Sequence, residues 1–389
     1  MKQFWLNKNE CTGCGACSNI CPKKAISLCP DSCGFIYPMF ESSCIDCGLC
    51  EKACKARLET AKEHFNNPVV YAAWSNDDEV RFNSTTGGAF SEIAKEILSE
   101  GGFVAGAQYR DDLLVEHTLI RDLDGLKRIR QSKYIQSEPG NIYRGIKDKL
   151  DEGLIVAYCG APCQVSALYA FLGKDYDNLL TIDFICRGMN SPKAYLSWIK
   201  EIESQEKKKV SRVWFKYKKG GWKSSPRRTR LDFADGSYIV KEGTDNLFQH
   251  GYLTSNLYIR PSCGNCKYKG LPRQGDITLA DFWDVDKVLD DDKGTSMVIV
   301  NSEKGNTIFD KVKNNMFCSK RALEEVYVGN VCFNDSVSIP DKAEEFLEAL
   351  NTMKFSDALK KYTYVPLYKK VIKRIKRITK SLVNRINNQ

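Results

Sequence analysis

The stretch CTGCGACSNICP at residues 11–22 holds four cysteines, with a proline directly after the last one. The same spacing returns in CIDCGLCEKAC at residues 44–54. Three cysteines spaced by two residues lie on one tight loop, while the fourth, three residues further on, points elsewhere. Thiolates in this arrangement bind iron–sulfur cubes, and in two-cluster ferredoxins the fourth cysteine of each run ligates the other run's cluster. The two runs therefore predict an N-terminal dicluster ferredoxin-like domain.

The eight cysteines divide into two predicted ligand sets. One 4Fe-4S cluster is expected to bind Cys11, Cys14, Cys17 and Cys54. The other is expected to bind Cys44, Cys47, Cys50 and Cys21. Zinc and disulfides are the alternatives, but tetrahedral zinc favours two CxxC pairs separated by a longer loop. Cys29 and Cys33 fit neither run, and we interpret them as incidental thiols.

The composition favours a globular protein with reduced thiols. The 389 residues include 17 cysteines, which is far more than packing requires. The first residues do not resemble a signal peptide, and no apolar run approaches the roughly 18 residues of a membrane-spanning helix. We therefore expect a cytoplasmic protein in which clustered cysteines serve metal or redox chemistry rather than disulfides.

The net charge of +9 is concentrated at the C-terminal end. From Lys360 onward there are ten basic residues and no acidic ones, which leaves 48 basic against 49 acidic residues elsewhere. The near-neutral charge of the rest of the chain therefore disfavours nucleic-acid binding by the body of the protein. Apolar residues at helical spacing in this tail are Leu367, Val371, Ile372, Ile375, Ile378, Leu382 and Ile386. They predict a basic amphipathic helix that would lie on an anionic membrane surface, dock on an acidic partner or pack on its own body.

After residue 68 the chain alternates between predicted strands and helices. VVYAAWS at 69–75 and FVAGAQY at 103–109 predict buried strands, with a helix between them that ends at Gly101-Gly102. The helix is entered through a turn made of Ser84, Thr85, Thr86, Gly87 and Gly88. Such a turn suits a phosphate or an anionic ring edge, although it is also an ordinary helix start. No Walker loop or G-x-G-x-x-G motif occurs in the sequence.

Four further cysteines are predicted to converge in the body of the protein. LIVAYCGAPCQVSALYAFL predicts a strand at 154–158, a turn and a helix with Cys163 at its N-terminus, where a thiolate is favoured. The next strand ends at Cys186, and the carboxyl ends of parallel strands share one edge of a sheet. With the CxxC pair Cys263 and Cys266, four sulfurs are available for a third cluster, and zinc is the alternative here. The remaining cysteines are interpreted as core or buried thiols: Cys159, Cys318 and Cys332.

Seven segments occur together in one order. They read TTGGAFSE, SKYIQS, AYCGAPCQVSAL, LTIDFICRGMNSP, RPSCGNCKYK, GDITLADFW and KGTSMVIVN. In this order they resemble the beta-subunit family of coenzyme F420 hydrogenases and dehydrogenases, here with an N-terminal dicluster ferredoxin domain. The resemblance covers about residues 8–310.

The resemblance implies a bound flavin, with FAD favoured over FMN, and a third 4Fe-4S cluster in the body. It makes the turn at 84–88 a flavin contact, together with Ser132, Lys133 and Tyr134 of the SKY segment. It also places His117 and Arg187 near this site. A lysine beside a flavin can stabilise the anionic reduced ring, and a surface lysine is the alternative interpretation. The resemblance identifies no catalytic residue.

The predicted fold is α+β or α/β. An N-terminal dicluster ferredoxin-like domain precedes an α/β flavin-binding domain with a mixed sheet, and a basic amphipathic helix follows. The predicted boundaries are 1–65 for the ferredoxin domain, 66–150 and 151–345 for the two parts of the beta-subunit-like body, and 346–389 for the helical tail.

The sequence therefore predicts an iron–sulfur flavoprotein oxidoreductase. It would transfer electrons between a hydride carrier, coenzyme F420 or a similar cofactor, and its 4Fe-4S clusters or a partner protein. One alternative is a non-enzymatic electron-transfer or docking protein without a flavin. Another is a zinc-containing nucleic-acid-binding protein, which the near-neutral body and the cysteine spacing disfavour. We expect the protein to have a redox partner and not to bind nucleic acid. We also expect a cytoplasmic location, in which the tail could attach to the inner membrane surface.

Overall fold

The computed structural model describes residues 7–59, 64–223 and 227–364. Its α-helices are α1 (Ala16–Ile20), α2 (Leu49–Glu59), α3 (Asp78–Phe82), α4 (Ala89–Ser99), α5 (Leu123–Ile129), α6 (Ile142–Asp151), α7 (Pro162–Leu172), α8 (Pro192–Glu206), α9 (Leu247–Thr254), α10 (Glu303–Val312), α11 (Glu324–Gly329), α12 (Ala343–Ala349) and α13 (Phe355–Thr363). Its strands are β1 (Ile26–Pro30), β2 (Ile36–Phe40), β3 (Val69–Ser75), β4 (Phe103–Tyr109), β5 (Val115–Ile120), β6 (Ser137–Glu138), β7 (Val156–Cys159), β8 (Leu179–Phe184), β9 (Val210–Phe215), β10 (Thr229–Phe233), β11 (Tyr238–Lys241), β12 (Ile277–Asp281), β13 (Ser296–Val300) and β14 (Met316–Arg321). Short 3-10 helices lie at Pro261–Asn265, Lys287–Leu289, Lys313–Asn315 and Val331–Phe333.

The N-terminal cysteine runs are held by two helices and a hairpin. α1 begins after Gly15, whose left-handed backbone (φ 78°) side-chain-bearing residues rarely adopt. β1 and β2 form an antiparallel hairpin in which Ile26 lies opposite Phe40. A Cβ atom at Gly15 would lie 2.5 Å from Pro139 Cγ. The first cysteine loop therefore packs closely against the body of the protein, and glycine at this position permits that approach.

The body is built on a mixed sheet in the strand order β14-β3-β13-β12-β8-β7-β4-β5-β6. Parallel pairing joins β12, β8, β7 and β4 in turn, and also β5 with β6. The other neighbours pair antiparallel. The mixed α/β architecture that the sequence predicts is therefore confirmed.

Helices cover both faces of this sheet. Along β4 and β7, Val104 and Ala157 pack in one hydrophobic cluster with α4, α5 and α10. Their chain neighbours Ala105 and Tyr158 pack in another cluster with α6 and α7. Successive side chains of a strand point to opposite faces, so the two clusters lie on opposite sides of the sheet. Because both faces are covered, β13 is buried at every position instead of alternating.

Parallel strands bring the predicted body cysteines to one edge of the sheet. β7 ends at Cys159 and leads through a short turn into α7, which begins with Pro162. Proline suits the first position of a helix, because its missing N–H has no acceptor there. Cys163 follows as the next helical residue, so its predicted place at a helix N-terminus is confirmed. β8 runs parallel to β7, and the chain leaves it toward Cys186 at the same edge.

A smaller sheet in the order β11-β10-β9 does not follow from the sequence patterns above. Aromatic side chains of α8, β9 and α9 pack together beside it, with Trp198 and Phe248 stacked at a centroid distance of 5.3 Å. The connection from β9 to β10 carries Lys216, Lys218 and Trp222 toward the larger sheet. This part of the chain therefore supplies basic and aromatic groups to the site described below.

The two predicted parts of the body share one sheet, because β3 pairs with both β13 and β14. The predicted domain boundaries stay predictions. In the predicted tail, Phe346 and Phe355 are fully buried in the core of the body. Residues 365–389, with the predicted amphipathic helix, lie outside the described residues. Among the helices of the described segments, none combines the length and apolar character needed to cross a membrane.

Candidate functional site

The first predicted set of cluster ligands comes together at the N-terminal loop. Cys11 and Cys14 lie on the loop, Cys17 lies in α1 and Cys54 in α2, and all four are buried. Burial raises the pKa of Cys17 well above its usual value, and the nearby Cys14, Cys11 and Cys54 raise it further because thiolates repel one another. Metal coordination offsets this cost, since a coordinated thiol is deprotonated. The four thiols thus lie within range of one another's charge.

The second predicted set lies nearer the protein surface. A small cavity of about 20 Å³ is lined by Cys21, Cys44, Cys47 and Cys50. Cys21 and Cys50 are buried, whereas Cys47 is exposed. Cys21 Sγ accepts a hydrogen bond from the Ala25 N–H at 3.3 Å, and such donors tune the potential of iron–sulfur sites.

The predicted body cysteines line one cavity of about 130 Å³, which we call the body-cysteine cavity. Cys163 lies in the first turn of α7, Cys186 follows β8, and Cys263 and Cys266 belong to the CxxC segment. Burial raises the pKa of Cys163 well above its usual value, and the charges of Cys186, Cys266 and Cys263 add to the effect. Cys263 Sγ accepts a hydrogen bond from the Met189 N–H at 3.4 Å. The structure therefore brings the four predicted cysteines together.

A fifth thiol, Cys332, lines the same cavity. The interpretation of Cys332 as an isolated buried thiol gave no reason to place it here, because no second cysteine lies at a motif spacing from it. Within the described part of the chain, no three Cys, His, Asp or Glu side chains are grouped closely enough to hold a single metal ion. The body cysteines therefore line a cavity and do not converge on a site for a single metal ion.

The three sets follow one another through the molecule. α1 links the first two, because Cys17 lies within it and Cys21 directly follows it. The first set adjoins the body set, since the Tyr143 hydroxyl donates to the carbonyl oxygens of Cys14 and of Gln164, which directly follows Cys163. Cys186 lines both the body-cysteine cavity and a larger cavity beside it. The sites therefore follow one another in the order second set, first set, body set and large cavity.

Arg260 ties the first cysteine loop to the body. Its side chain is fully buried and donates from Nε to the Cys11 carbonyl oxygen at 2.8 Å. The two terminal nitrogens donate to the Ile36 carbonyl oxygen at 3.0 Å and to Gln136 Oε1 at 3.2 Å. A guanidinium with several fixed donors can satisfy several buried oxygens at once.

Two residues of α6 hold the same loop from the other side. The Tyr143 hydroxyl donates to the Cys14 carbonyl oxygen at 2.8 Å. The Arg144 guanidinium donates to the carbonyl oxygens of Asn19 and Cys21, both at 2.6 Å. These contacts fix the start and the end of α1, so the N-terminal cysteines are held at a defined place on the body.

The large cavity has a volume of about 650 Å³, which is well within the range of ligand pockets. The predicted flavin contacts that line it are Ser84, Thr85, Thr86, Gly88, Ser132, Lys133 and Tyr134. His117 and Arg187 line it as well. Gly87 lies behind the wall, where its N–H donates to Ser296 Oγ at 3.0 Å and a Cβ atom would lie 2.2 Å from the Ala73 carbonyl oxygen.

The two predicted flavin-contact segments meet directly. Thr85 Oγ1 accepts a hydrogen bond from the Ser132 N–H at 2.8 Å. Lys218 Nζ donates to the Thr86 carbonyl oxygen at 2.6 Å, and this hydrogen bond fixes the turn at residues 84–88. Gly88 and Ala89 line the cavity, so the amino end of α4 opens into it. The partial positive charge of a helix N-terminus favours an anionic group at that place.

Lys133 is anchored at the carboxyl end of α5. Its Nζ donates to the carbonyl oxygens of Ile129, Arg130 and Gln131 at 3.2, 2.8 and 3.2 Å. Burial and, to a smaller extent, the charge of Arg212 lower the pKa of Lys133 to about 7. The carbonyl contacts favour the charged form, since each oxygen accepts from the ammonium. The side chain is therefore a fixed donor in the cavity wall rather than a surface lysine.

His117 is a buried polar side chain in the wall of the large cavity. Within the described residues neither ring nitrogen makes a hydrogen bond of good geometry, although the backbone of Cys159 is near enough to act on the ring, and the residue is only 8% exposed. Burial lowers the pKa of His117 to about 4, so the ring is neutral near pH 7. Its ring centroid lies 5.6 Å from that of Tyr158. Because unpaired buried polar groups are costly, these nitrogens fit a site that a bound ligand completes.

The large cavity is basic and partly aromatic. Its basic lining residues are Arg130, Lys133, Arg187, Lys216 and Arg227. Asp281 is the acidic residue among those that line it, and its Oδ2 lies 3.5 Å from Lys216 Nζ. Lys216 Nζ also lies 3.8 Å from the Trp283 ring centroid, and Trp283 stacks on Trp222 at 4.3 Å. This balance favours an anionic ligand with a flat ring.

The motif analysis missed Lys216, Lys218 and Trp222. They lie in KYKKGGW at residues 216–222, where lysines and aromatic residues alternate between two strands. That pattern could have marked a basic aromatic loop. Its place against the 84–88 turn could not be predicted, because the contacts join residues more than a hundred positions apart.

The fold and the cysteine geometry define an iron–sulfur type of protein with a mixed α/β body. Residues 4–27 match a 4Fe-4S binding domain. Residues 70–141 and 154–326 match the models for the N-terminal and C-terminal parts of the coenzyme F420 hydrogenase/dehydrogenase beta subunit. The chain therefore belongs to the coenzyme F420 hydrogenase/dehydrogenase beta-subunit family.

Two individual proteins match this chain over only part of its length. The uncharacterized protein MJ1349 of Methanocaldococcus jannaschii is 24% identical over 209 residues, which span 46% of this chain and 57% of that protein. An iron–sulfur subunit of the CoB–CoM heterodisulfide reductase from the same organism is 37% identical over 67 residues, which span 14% of this chain and 10% of that protein. The matches thus cover a little over half of the first relative and a tenth of the second.

Among solved structures, a chain of the xenon-derivatized F420-reducing [NiFe] hydrogenase complex from Methanosarcina barkeri is similar to this one. The TM-score is 0.47 at 17% identity, and the superposition covers 76% of this chain and 92% of the other.

Replacing His117 with glutamine is expected to make stability depend less on pH. The folded protein keeps His117 neutral down to about pH 4, whereas a histidine of the unfolded chain takes up a proton near pH 6.5. The stability that comes from the neutral ring is complete above about pH 6.5 and is lost as the pH falls toward 4. Between about pH 7.5 and about pH 5.5, wild type should lose about 1 kcal/mol more than H117Q in urea denaturation.

The substitution His250→Gln controls for the loss of a histidine elsewhere, since His250 Nδ1 lies 2.9 Å from Arg227 Nη1. Equal pH dependence in wild type and H117Q would show that the fold does not hold His117 neutral.

Proposed function

We propose that this chain is an iron–sulfur flavoprotein that passes electrons between a hydride carrier and a partner protein. The proposal rests on one observation, the unbroken series of sites from the large cavity to the surface. The large cavity shares Cys186 with the body-cysteine cavity, and the body set adjoins the first N-terminal set. The first set adjoins the second through α1.

The thiol sets fit three 4Fe-4S clusters. Each set supplies four thiols, and soft sulfur ligands in these runs suit iron–sulfur centres. When bound, such clusters carry single electrons at potentials that charge, hydrogen bonds and burial adjust. The chain's own part is to hold the ligands. Arg260, Tyr143 and Arg144 fix the N-terminal loop on the body, and burial keeps water from the first set.

The large cavity fits a flavin nucleotide, and its volume favours FAD over FMN. When bound, a flavin exchanges an electron pair with a hydride carrier and single electrons with iron–sulfur centres. His117 would hydrogen-bond to the ligand, because neither ring nitrogen makes a hydrogen bond of good geometry within the described residues. The basic lining and the amino end of α4 would hold phosphate groups.

Lys133 is proposed as the electrostatic partner of the reduced flavin. Three carbonyl oxygens hold its amino group in the cavity wall, so the side chain is in place before any ligand binds, and an anionic ligand would favour its protonated form. A fixed cation favours a ligand that becomes more negative on reduction. This role follows from the position of Lys133 beside Thr85 and Ser132, which line the same cavity.

Family membership supports a deazaflavin such as coenzyme F420, or a similar carrier, as the substrate. The second cysteine set is proposed as the exit toward a redox partner protein, because Cys47 is exposed while the first set is buried. The ferredoxin domain at 1–65, the two-part body at 66–345 and a membrane contact of residues 365–389 are retained as parts of the proposal.

The content of flavin and iron in the protein purified without oxygen tests the proposal. We expect about twelve irons and about one flavin per chain, since three 4Fe-4S clusters and one cavity are proposed. A reduced deazaflavin should then bleach the flavin and cluster absorption. Iron without flavin would favour the alternative, an electron carrier without flavin chemistry. A preparation with neither would contradict both.

Replacing Cys163 with serine should remove about a third of the iron and sulfide, because one of three proposed clusters loses a ligand. Iron and sulfide per chain are measured in the wild type and in C163S. Cys318→Ser is the matched control, since Cys318 lies on β14 at the far edge of the sheet. Unchanged iron in C163S would count against a body cluster, and equal losses in both variants would indicate a general loss of folding.

A further inference from the structure

Lys269 joins the two loops that separate the cavities. Its Nζ donates hydrogen bonds to the carbonyl oxygens of Cys186 and Cys332, each at 2.7 Å. Both cysteines line the body-cysteine cavity as well as the large cavity. A single ammonium group therefore fixes the wall that lies between the proposed cluster and the proposed flavin.

The charge of Lys269 acts on the body thiols. Its ammonium lies within hydrogen-bond distance of the backbone of Cys186, and it lines the same cavity as Cys263. The hydrogen bonds of Lys269 described above go to neutral carbonyl groups, so they do not cancel its charge. Arg273 lines the same cavity but forms an ion pair with Asp183 at 3.2 Å. Lys269 is therefore the better placed of these two cations to act on a cluster.

We propose that Lys269 is a positioning residue that raises the reduction potential of the cluster bound by the body cysteines. This inference rests on the proposed function. A cube held by four thiolates becomes more negative when it accepts an electron, so a nearby cation stabilises the reduced form. The same ammonium holds the backbone of Cys186, a predicted ligand, and of Cys332 beside it. Lys269 thereby favours movement of electrons out of the large cavity into the body cluster.

The test compares Lys269→Gln with Lys267→Gln in the full chain, purified without oxygen. Lys267 lines the same cavity but is exposed, so water and salt screen its charge. The midpoint potential of the body cluster is followed by low-temperature electron paramagnetic resonance during a redox titration. The body signal is identified as the one missing from C163S. We expect a shift to more negative potential in K269Q and a value close to wild type in K267Q.

Lys269→Arg separates the charge from the fold of the loop. If K269Q loses the body iron, retained iron and a wild-type midpoint in K269R support the role of the cation, and lost iron in K269R overturns it. An unchanged midpoint in K269Q with full iron content overturns the inference and leaves the cluster assignment intact. Absence of a body signal in the wild type would instead reject the proposed cluster, and the inference with it.

Discussion

The arrangement of the protein depends on the buried guanidinium of Arg260. It donates to the carbonyl oxygen of Cys11, to that of Ile36 and to Gln136 Oε1. Its chain neighbours lead directly into the segment that carries Cys263. A buried charge is costly unless fixed oxygens replace the water that it loses, so all three contacts are needed together. Through them one side chain sets the first cysteine loop, the N-terminal hairpin and the body cysteines relative to one another.

The Arg260 contacts set the order of the sites along the proposed electron path. With the N-terminal loop fixed on the body, the first cysteine set lies between the body set and the outer set that includes exposed Cys47. The large cavity lies at the other end, with basic walls and the buried ring of His117. The end with the large cavity is therefore suited to the proposed exchange of an electron pair with a ligand, and the end with Cys47 to the proposed exchange of single electrons with a partner. Membership of the coenzyme F420 hydrogenase/dehydrogenase beta-subunit family agrees with this division.

Local patterns were enough to predict much of the fold and the sulfur groups. VVYAAWS and FVAGAQY are strands over the predicted residues, because buried parallel or mixed strands are continuous apolar runs. The convergence of Cys163 and Cys186 could be predicted because strand ends share a sheet edge. The sequence could not predict the positions of Arg260, Lys218 and Cys332. Their partners are distant in the chain, and no motif spacing indicates these contacts. The smaller sheet was missed for the same reason, and the connection from β9 to β10 supplies Lys216 and Arg227 to the large cavity.

Magnetic coupling between the proposed clusters tests the central claim most directly. The fully reduced, oxygen-free protein should give an electron paramagnetic resonance spectrum in which the body cluster interacts with the cluster of the first cysteine set. The interaction follows from the Tyr143 hydroxyl, which donates to the carbonyl oxygens of Cys14 and Gln164, and from the Arg260 hydrogen bonds that hold the first cysteine loop. Replacing Arg260 with methionine should weaken that interaction while the N-terminal signals remain. A spectrum equal to the sum of isolated clusters in the wild type would contradict the account.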